Sequence, residues 1–174
     1  MKWLTIVIIV MLALGLAVVA TADQQNLSVG TAYITQDGVG NKARIEQVND
    51  YNPGSTTNVQ GGVNSATIIQ QNDNSNIASI EQIGDGNSAT TVQSDSSNVA
   101  NVFQNGSYNT ATITQDGSGN EALISQNGNN NVAAITQNGD SNLASISQAG
   151  NGHRAFISQF GNGNVAIIVQ RTSK

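Results

Sequence analysis

A glutamine returns every eleven residues through almost the whole chain, and nothing else in it constrains the fold as tightly. The series is Gln36, Gln47, Gln60, Gln70, Gln82, Gln93, Gln104, Gln115, Gln126, Gln137, Gln148, Gln159 and Gln170, with an unbroken spacing of 11 from Gln82 onward. A short fixed period marks one unit stacked on copies of itself. It also points away from catalysis, because active sites are built from singular residues.

The unit reads N-x-A-x-I-x-Q-x-G-x-x, as from Asn109 through Ala111, Ile113 and Gln115 to Gly117. Fixed and variable positions alternate, the period of a strand with one specified face. The stretch from Asn to Gln predicts a strand about 20 Å long, and the remainder a β-arc that reverses the chain. The arc's second position is Gly38, Gly62, Gly84, Gly106, Gly117, Gly128, Gly139, Gly150 or Gly161, and otherwise Asn49, Asn72 or Asp95. These residue types tolerate a left-handed backbone at least cost. Two strands and two arcs make a rung of 22 residues. The expected fold is an all-β solenoid with cross-β character, about six and a half rungs spaced about 4.8 Å apart.

The face turned inward carries Asn, Ala, Ile and Gln. Isoleucine supplies apolar burial, and buried amides need partners. Stacking like on like provides them, so each Gln is expected to donate to one neighbouring rung and accept from the other. Besides the glutamines (Gln60, in an irregular unit, apart), the ladder positions are Asn41, Asn64, Asn76, Asn87, Asn98, Asn109, Asn120, Asn131, Asn142 and Asn164. A single rung cannot bury its own apolar face, so folding is expected to be limited by nucleation and helped by a template.

Residues 1–22 have the form of a secretory signal: Lys2, an apolar run over 4–19, and Ala20-Thr21-Ala22 as a small-residue cleavage site. A leader over 23–30, repeats over 31–170 and a tail over 171–174 complete the expected organisation. The irregular stretch is 52–64, with the only proline, Pro53, and Asn58 where Ile is expected; it predicts a weak, bulged second rung. With aromatic residues at 4%, an ordinary globular core is not expected, and without cysteine there is no disulfide or thiolate metal site. Beyond residue 22 there are 11 acidic residues against Lys42, Arg44, Arg154, Arg171 and Lys174, an excess that disfavours nucleic acid as partner.

Capping segments are expected of a monomeric solenoid, and the repeat here runs close to both ends of the sequence. Open strand edges invite end-to-end pairing. The last unit is apolar on its outward side as well, through Val165, Ile167 and Val169 ahead of Arg171, which predicts an end strand that faces a partner. Ile77, Val99, Glu121, Leu143 and Val165 are expected to stack into an outward stripe.

The pattern Q-x-G-x-x-N-x-A-x-x-x-Q, as in Gln115, Gly117, Asn120, Ala122 and Gln126, resembles the curlins, subunits of bacterial curli amyloid fibres. The resemblance covers about residues 31–170. It implies export through the periplasm, passage across the outer membrane by dedicated export and assembly machinery, and assembly on the cell surface into fibres for adhesion and biofilm matrix. The partners it implies are further copies and companion curlin subunits, with no cofactor and no small-molecule substrate. Asn41-Lys-Ala-Arg-Ile-Glu-Gln47 and the basic ending at Gln170-Arg171 resemble the minor, nucleating subunit. The regularity of the repeat suits the major, bulk subunit.

Other chemistry finds little support. His153 stands where the repeat has Asn, and one His makes neither a triad nor a metal cluster. Asp37, Asp85, Asp116 and Asp140 lie in arcs without the nonapeptide of calcium-binding β-rolls. An ice-binding face would need threonine in register, and Thr110, Thr112 and Thr114 do this in one unit only.

Overall fold

A computed structural model describes residues 8–12, 17–21, 31–38, 40–48, 64–71 and 75–172. All the regular structure in them is strand, and no helix among them is long and apolar enough to cross a membrane. The strands alternate between two parallel sheets. One sheet holds β1 (Ile8–Leu12), β3 (Thr31–Gln36), β5 (Ser65–Gln71), β7 (Ser88–Ser94), β9 (Thr110–Asp116), β11 (Val132–Asn138) and β13 (Arg154–Phe160), in that order. The other holds β2 (Ala17–Thr21), β4 (Lys42–Val48), β6 (Ile77–Ile83), β8 (Val99–Asn105), β10 (Glu121–Asn127), β12 (Leu143–Ala149) and β14 (Val165–Arg171). The chain is a β-solenoid, and from β5 to β14 it makes five regular rungs of about 22 residues.

Register follows from chemistry. A slip of one residue would turn every isoleucine out to solvent. Pairing therefore holds Ala on Ala, Ile on Ile and Gln on Gln, as in Ala111, Ile113 and Gln115 against Ala133, Ile135 and Gln137. Between the sheets lies a thin core, with Ala66, Ile68, Ala122, Ile124, Ala144 and Ile146 wholly buried. Alanine at every rung lets the sheets approach. One position departs from the rule. Thr91 occupies an isoleucine place between Ile68 and Ile113, and its buried hydroxyl has no hydrogen-bond partner.

The expected second rung around Gln60 does not stand among the described strands. β3 pairs directly with β5, and β4 with β6, so no strand stands between them in either sheet. A strand there would also have shifted β5 to the opposite sheet, since successive strands alternate. Asn58 removes the isoleucine that would bury the unit, and Pro53 has no N–H to give a ladder. Among the described residues the regular rungs therefore number five, with β3 and β4 as a sixth, rather than six and a half. Residues 49–63 themselves lie outside the described residues.

β1 and β2 lie against β3 and β4 and fall within the stretch read as a secretory signal. Each is shorter than the seven-residue strands of the repeat. Their residues carry neither the Asn nor the Gln of the unit.

Candidate interface: two amide ladders and their open ends

Strand alternation turns the glutamine of each described unit inward, and parallel register sets it beside the next. In the first sheet Gln36 Nε2 donates to Gln70 Oε1, Gln70 to Gln93, Gln93 to Gln115, Gln115 to Gln137 and Gln137 to Gln159, at 2.5–2.9 Å. In the second, Gln47 donates to Gln82, Gln82 to Gln104, Gln104 to Gln126, Gln126 to Gln148 and Gln148 to Gln170, at 2.8–2.9 Å. Both ladders run the same way, with donors facing the C-terminal rung. An amide has two N–H groups, and the second one crosses the core. Gln104 Nε2 reaches Ser88 O at 3.1 Å, and Gln115 Nε2 reaches Val99 O at 3.0 Å. Each glutamine thus ties rung to rung and sheet to sheet. Serine or threonine could not do both, having one hydroxyl proton on a shorter stem.

The asparagines work at the corners. Asn98 N donates to Asn76 Oδ1 and Asn120 N to Asn98 Oδ1, at 2.9 and 3.0 Å. Their side-chain N–H groups hold the next arc: Asn109 Nδ2 donates to Gly128 O and Asn120 Nδ2 to Gly139 O, each at 2.7 Å. Asn41, Asn64, Asn87, Asn131, Asn142 and Asn164 occupy the same two columns, and all but Asn164 are buried. His153 completes one of them. Its N–H donates to Asn131 Oδ1 at 2.9 Å, and its Nε2 lies 3.1 Å from Thr172 Oγ1.

The arc glycines Gly38, Gly84, Gly106, Gly117, Gly128, Gly139, Gly150 and Gly161 all have positive φ. Gly128 shows why at φ 126°: a Cβ there would overlap the Gly150 carbonyl of the next rung. The sequence pattern missed a second left-handed position just before the column of Asn and His153, filled by Gly86, Ser97, Tyr108, Gly119, Asn130, Ser141 and Gly152. Its glycines could have signalled it, but serine and tyrosine hid the pattern. A third ladder was missed as well. Asn129, Asp140, Asn151 and Asn162 accept backbone N–H bonds at 2.8 Å from Ser107, Ser118, Asn129 and Asp140. Asp140 is thus a stacking residue as well as a surface charge.

The ends of the stack differ. No described strand covers β13 or β14 on the far side. Val165, Ile167 and Val169 stand outward on β14, 67%, 65% and 56% exposed, followed by Arg171. Ile77, Val99, Glu121, Leu143 and Val165 form one column, to which Lys42 adds at the other end. Arg44 and Glu46 form an exposed ion pair on that same sheet. Among the described residues no group of three or more His, Cys, Asp or Glu could hold a metal ion.

A family model described as Curlin associated repeat matches residues 84–117, 96–128, 117–150 and 128–161. No curated protein matches the chain.

Proposed function

This chain belongs to the curlin-repeat proteins, and from that premise we propose that it is a secreted structural subunit of a curli-type amyloid fibre, polymerising end to end. The observation that carries the reading is the pair of unbroken amide ladders reaching the last rung, where β13 and β14 present open edges. Such an edge binds another strand more readily than anything else. Residues 1–22 act as the export signal and are removed, the subunit crosses to the outer cell surface, and it joins fibres that serve adhesion and biofilm matrix. Its partners are further copies, companion curlins and the export and assembly machinery.

Within that role the nucleating subunit is favoured. β14 is apolar on its outward face too and ends in Arg171, which suits a template that presents a sticky edge to the first companion. The regularity of the five rungs from β5 to β14 supports the bulk subunit as the second reading. Replacing Gln148 and Asn142 by Ala is expected to slow thioflavin-detected assembly, while Ser145→Ala, on the outward face, leaves it unchanged. Equal slowing by both would remove the amides from the explanation. Trace amounts of the chain added to a companion curlin separate the two roles. Loss of the companion's lag marks a nucleator, and an unchanged lag marks a bulk subunit.

A further inference from the structure

The ladders have a direction, and it fixes how two copies meet. Every glutamine from Gln70 to Gln148 donates twice, once along the ladder and once across the core, as Gln126 does to Gln148 and Thr110 O. At the last rung this stops. Gln159 donates only to Leu143 O and Gln170 only to Arg154 O. Each of these end amides keeps one N–H directed along the axis. At the first repeat rung the deficit has the opposite sign: Gln36 Oε1 is buried and accepts no hydrogen bond. Its register partner on that side is Leu12 of β1, a residue type with no hydrogen-bonding side chain. A buried, unpaired amide oxygen costs about 1–3 kcal/mol, so β1 is a poor occupant of that edge. The strand that suits it brings a donor at the glutamine column, an apolar residue at the isoleucine column and alanine at the column beyond.

β13 is such a strand. We propose that copies join head to tail, the β13–β14 rung of one laid against the β3–β4 rung of the next, with the glutamine donors supplied by the C-terminal rung. The inference rests on the end-to-end fibre reading and adds its polarity and its contact residues. Twelve strands from β3 to β14 is an even number, so both sheets finish at the same level and each continues into its own kind. The internal step, extended across the joint, sets Ala155, Ile157 and Gln159 on Ala32, Ile34 and Gln36 of the next copy. It sets Ala166, Ile168 and Gln170 on Ala43, Ile45 and Gln47. Asn164 meets Asn41, and Gly161 meets Gly38, which continues the arc column from Gly117 and Gly139.

The outward face carries an independent mark. One column of the first sheet reads Tyr33, Thr67, Thr90, Thr112, Ala134, Phe156, aromatic at its two ends and small between. Tyr33 and Phe156 are 39% and 63% exposed. In a head-to-tail joint they become neighbours on adjacent parallel strands, where an offset aromatic pair forms. In head-to-head or tail-to-tail contact they never meet. The contact is heterologous and does not close, so it yields a filament rather than a dimer.

Disulfide trapping tests the joint, because the chain has no cysteine of its own. Tyr33→Cys and Phe156→Cys are made in separate chains, expressed with residues 1–22 in place, collected after export, unfolded, mixed in equal amounts and assembled under mild oxidation. Adjacent parallel strands lie within disulfide reach. Random head-to-tail order then cross-links about half of all chains into dimers, with at least about tenfold less in either variant alone. Dimers in Tyr33→Cys alone or Phe156→Cys alone would mean head-to-head or tail-to-tail contact and overturn the proposal. If cysteine at these aromatics prevents assembly, Thr35→Cys with Ser158→Cys, one outward position along, gives the same readout. Tyr33→Cys mixed with Ser145→Cys, on opposite sheets, stays monomeric. Fibres from the unaltered chain with no cross-linking in either pair overturn the joint; an unaltered chain that forms no fibre overturns the fibre reading instead.

Discussion

Gln115→Leu is the sharpest perturbation of the ladder, because it keeps the bulk of the side chain and removes its amide. Gln115 accepts from Gln93 Nε2 at 2.9 Å and donates to Gln137 Oε1 at 2.9 Å and Val99 O at 3.0 Å. Leucine leaves these three polar atoms each short of one partner inside a dry core. At about 1–3 kcal/mol for each, the loss is about 3–9 kcal/mol. The leucine's own burial returns about 1.5–3 kcal/mol. At the middle of both ranges the net penalty is about 4 kcal/mol, felt by every chain that enters a fibre. The assay is the concentration of chain left soluble once assembly has finished, which rises tenfold for about every 1.4 kcal/mol. Gln115→Leu is expected to raise it by about 30-fold or more. Thr112→Leu, on the outward face of the same strand, is expected to change it by less than about threefold. Equal residual concentrations for Gln115→Leu and the unaltered chain would refute the reasoning, since shape alone would then account for the glutamine.

The other predictions concern single residues. Thr91→Val removes the unpartnered buried hydroxyl at constant shape and is expected to stabilise the stack by about 1–2 kcal/mol, read as a higher guanidinium midpoint for fibre dissolution. Gly128→Ala combines a φ of 126° with overlap of the next rung's carbonyl, whereas Gly152, at φ 71°, has nothing within 4 Å of an added Cβ. Gly128→Ala is expected to block or greatly slow assembly, and Gly152→Ala to cost about 1 kcal/mol, measured by the same midpoint. Arg44→Ala removes an exposed ion pair and is expected to shift that midpoint by less than about 1 kcal/mol.

The solenoid was legible because its signals agree at every level. Alternation of fixed and free residues defines the strand, glycine or aspartate two places after the glutamine turns it, and the constant spacing stacks it. Where one signal failed, the reading failed with it. The unit around Gln60 has the glutamine but lacks the isoleucine that buries a strand and holds Pro53, and no described strand stands between β3 and β5 or between β4 and β6. A recurring polar residue cannot by itself hold a place in the stack. The donor direction of the ladders was not legible, since a glutamine in a sequence has no orientation. It is set by the second N–H, which finds a carbonyl on the opposite sheet. Nor was the outward stacking of Asn129, Asp140, Asn151 and Asn162, which fall at arc positions that ordinary turn chemistry already explains.

Mass per length of the assembled fibre tests the central claim most directly. A solenoid placed end to end advances by six rungs per copy, β3 to β14, or about 29 Å at the usual strand spacing. With a chain of 18.0 kDa at most, less residues 1–22, a single file has about 0.5–0.6 kDa per Å, or a small whole multiple where filaments bundle. A fibre in which each chain instead spreads flat and occupies one layer has about 3–4 kDa per Å. The account predicts the lower value in the thinnest filaments; the higher value would contradict it.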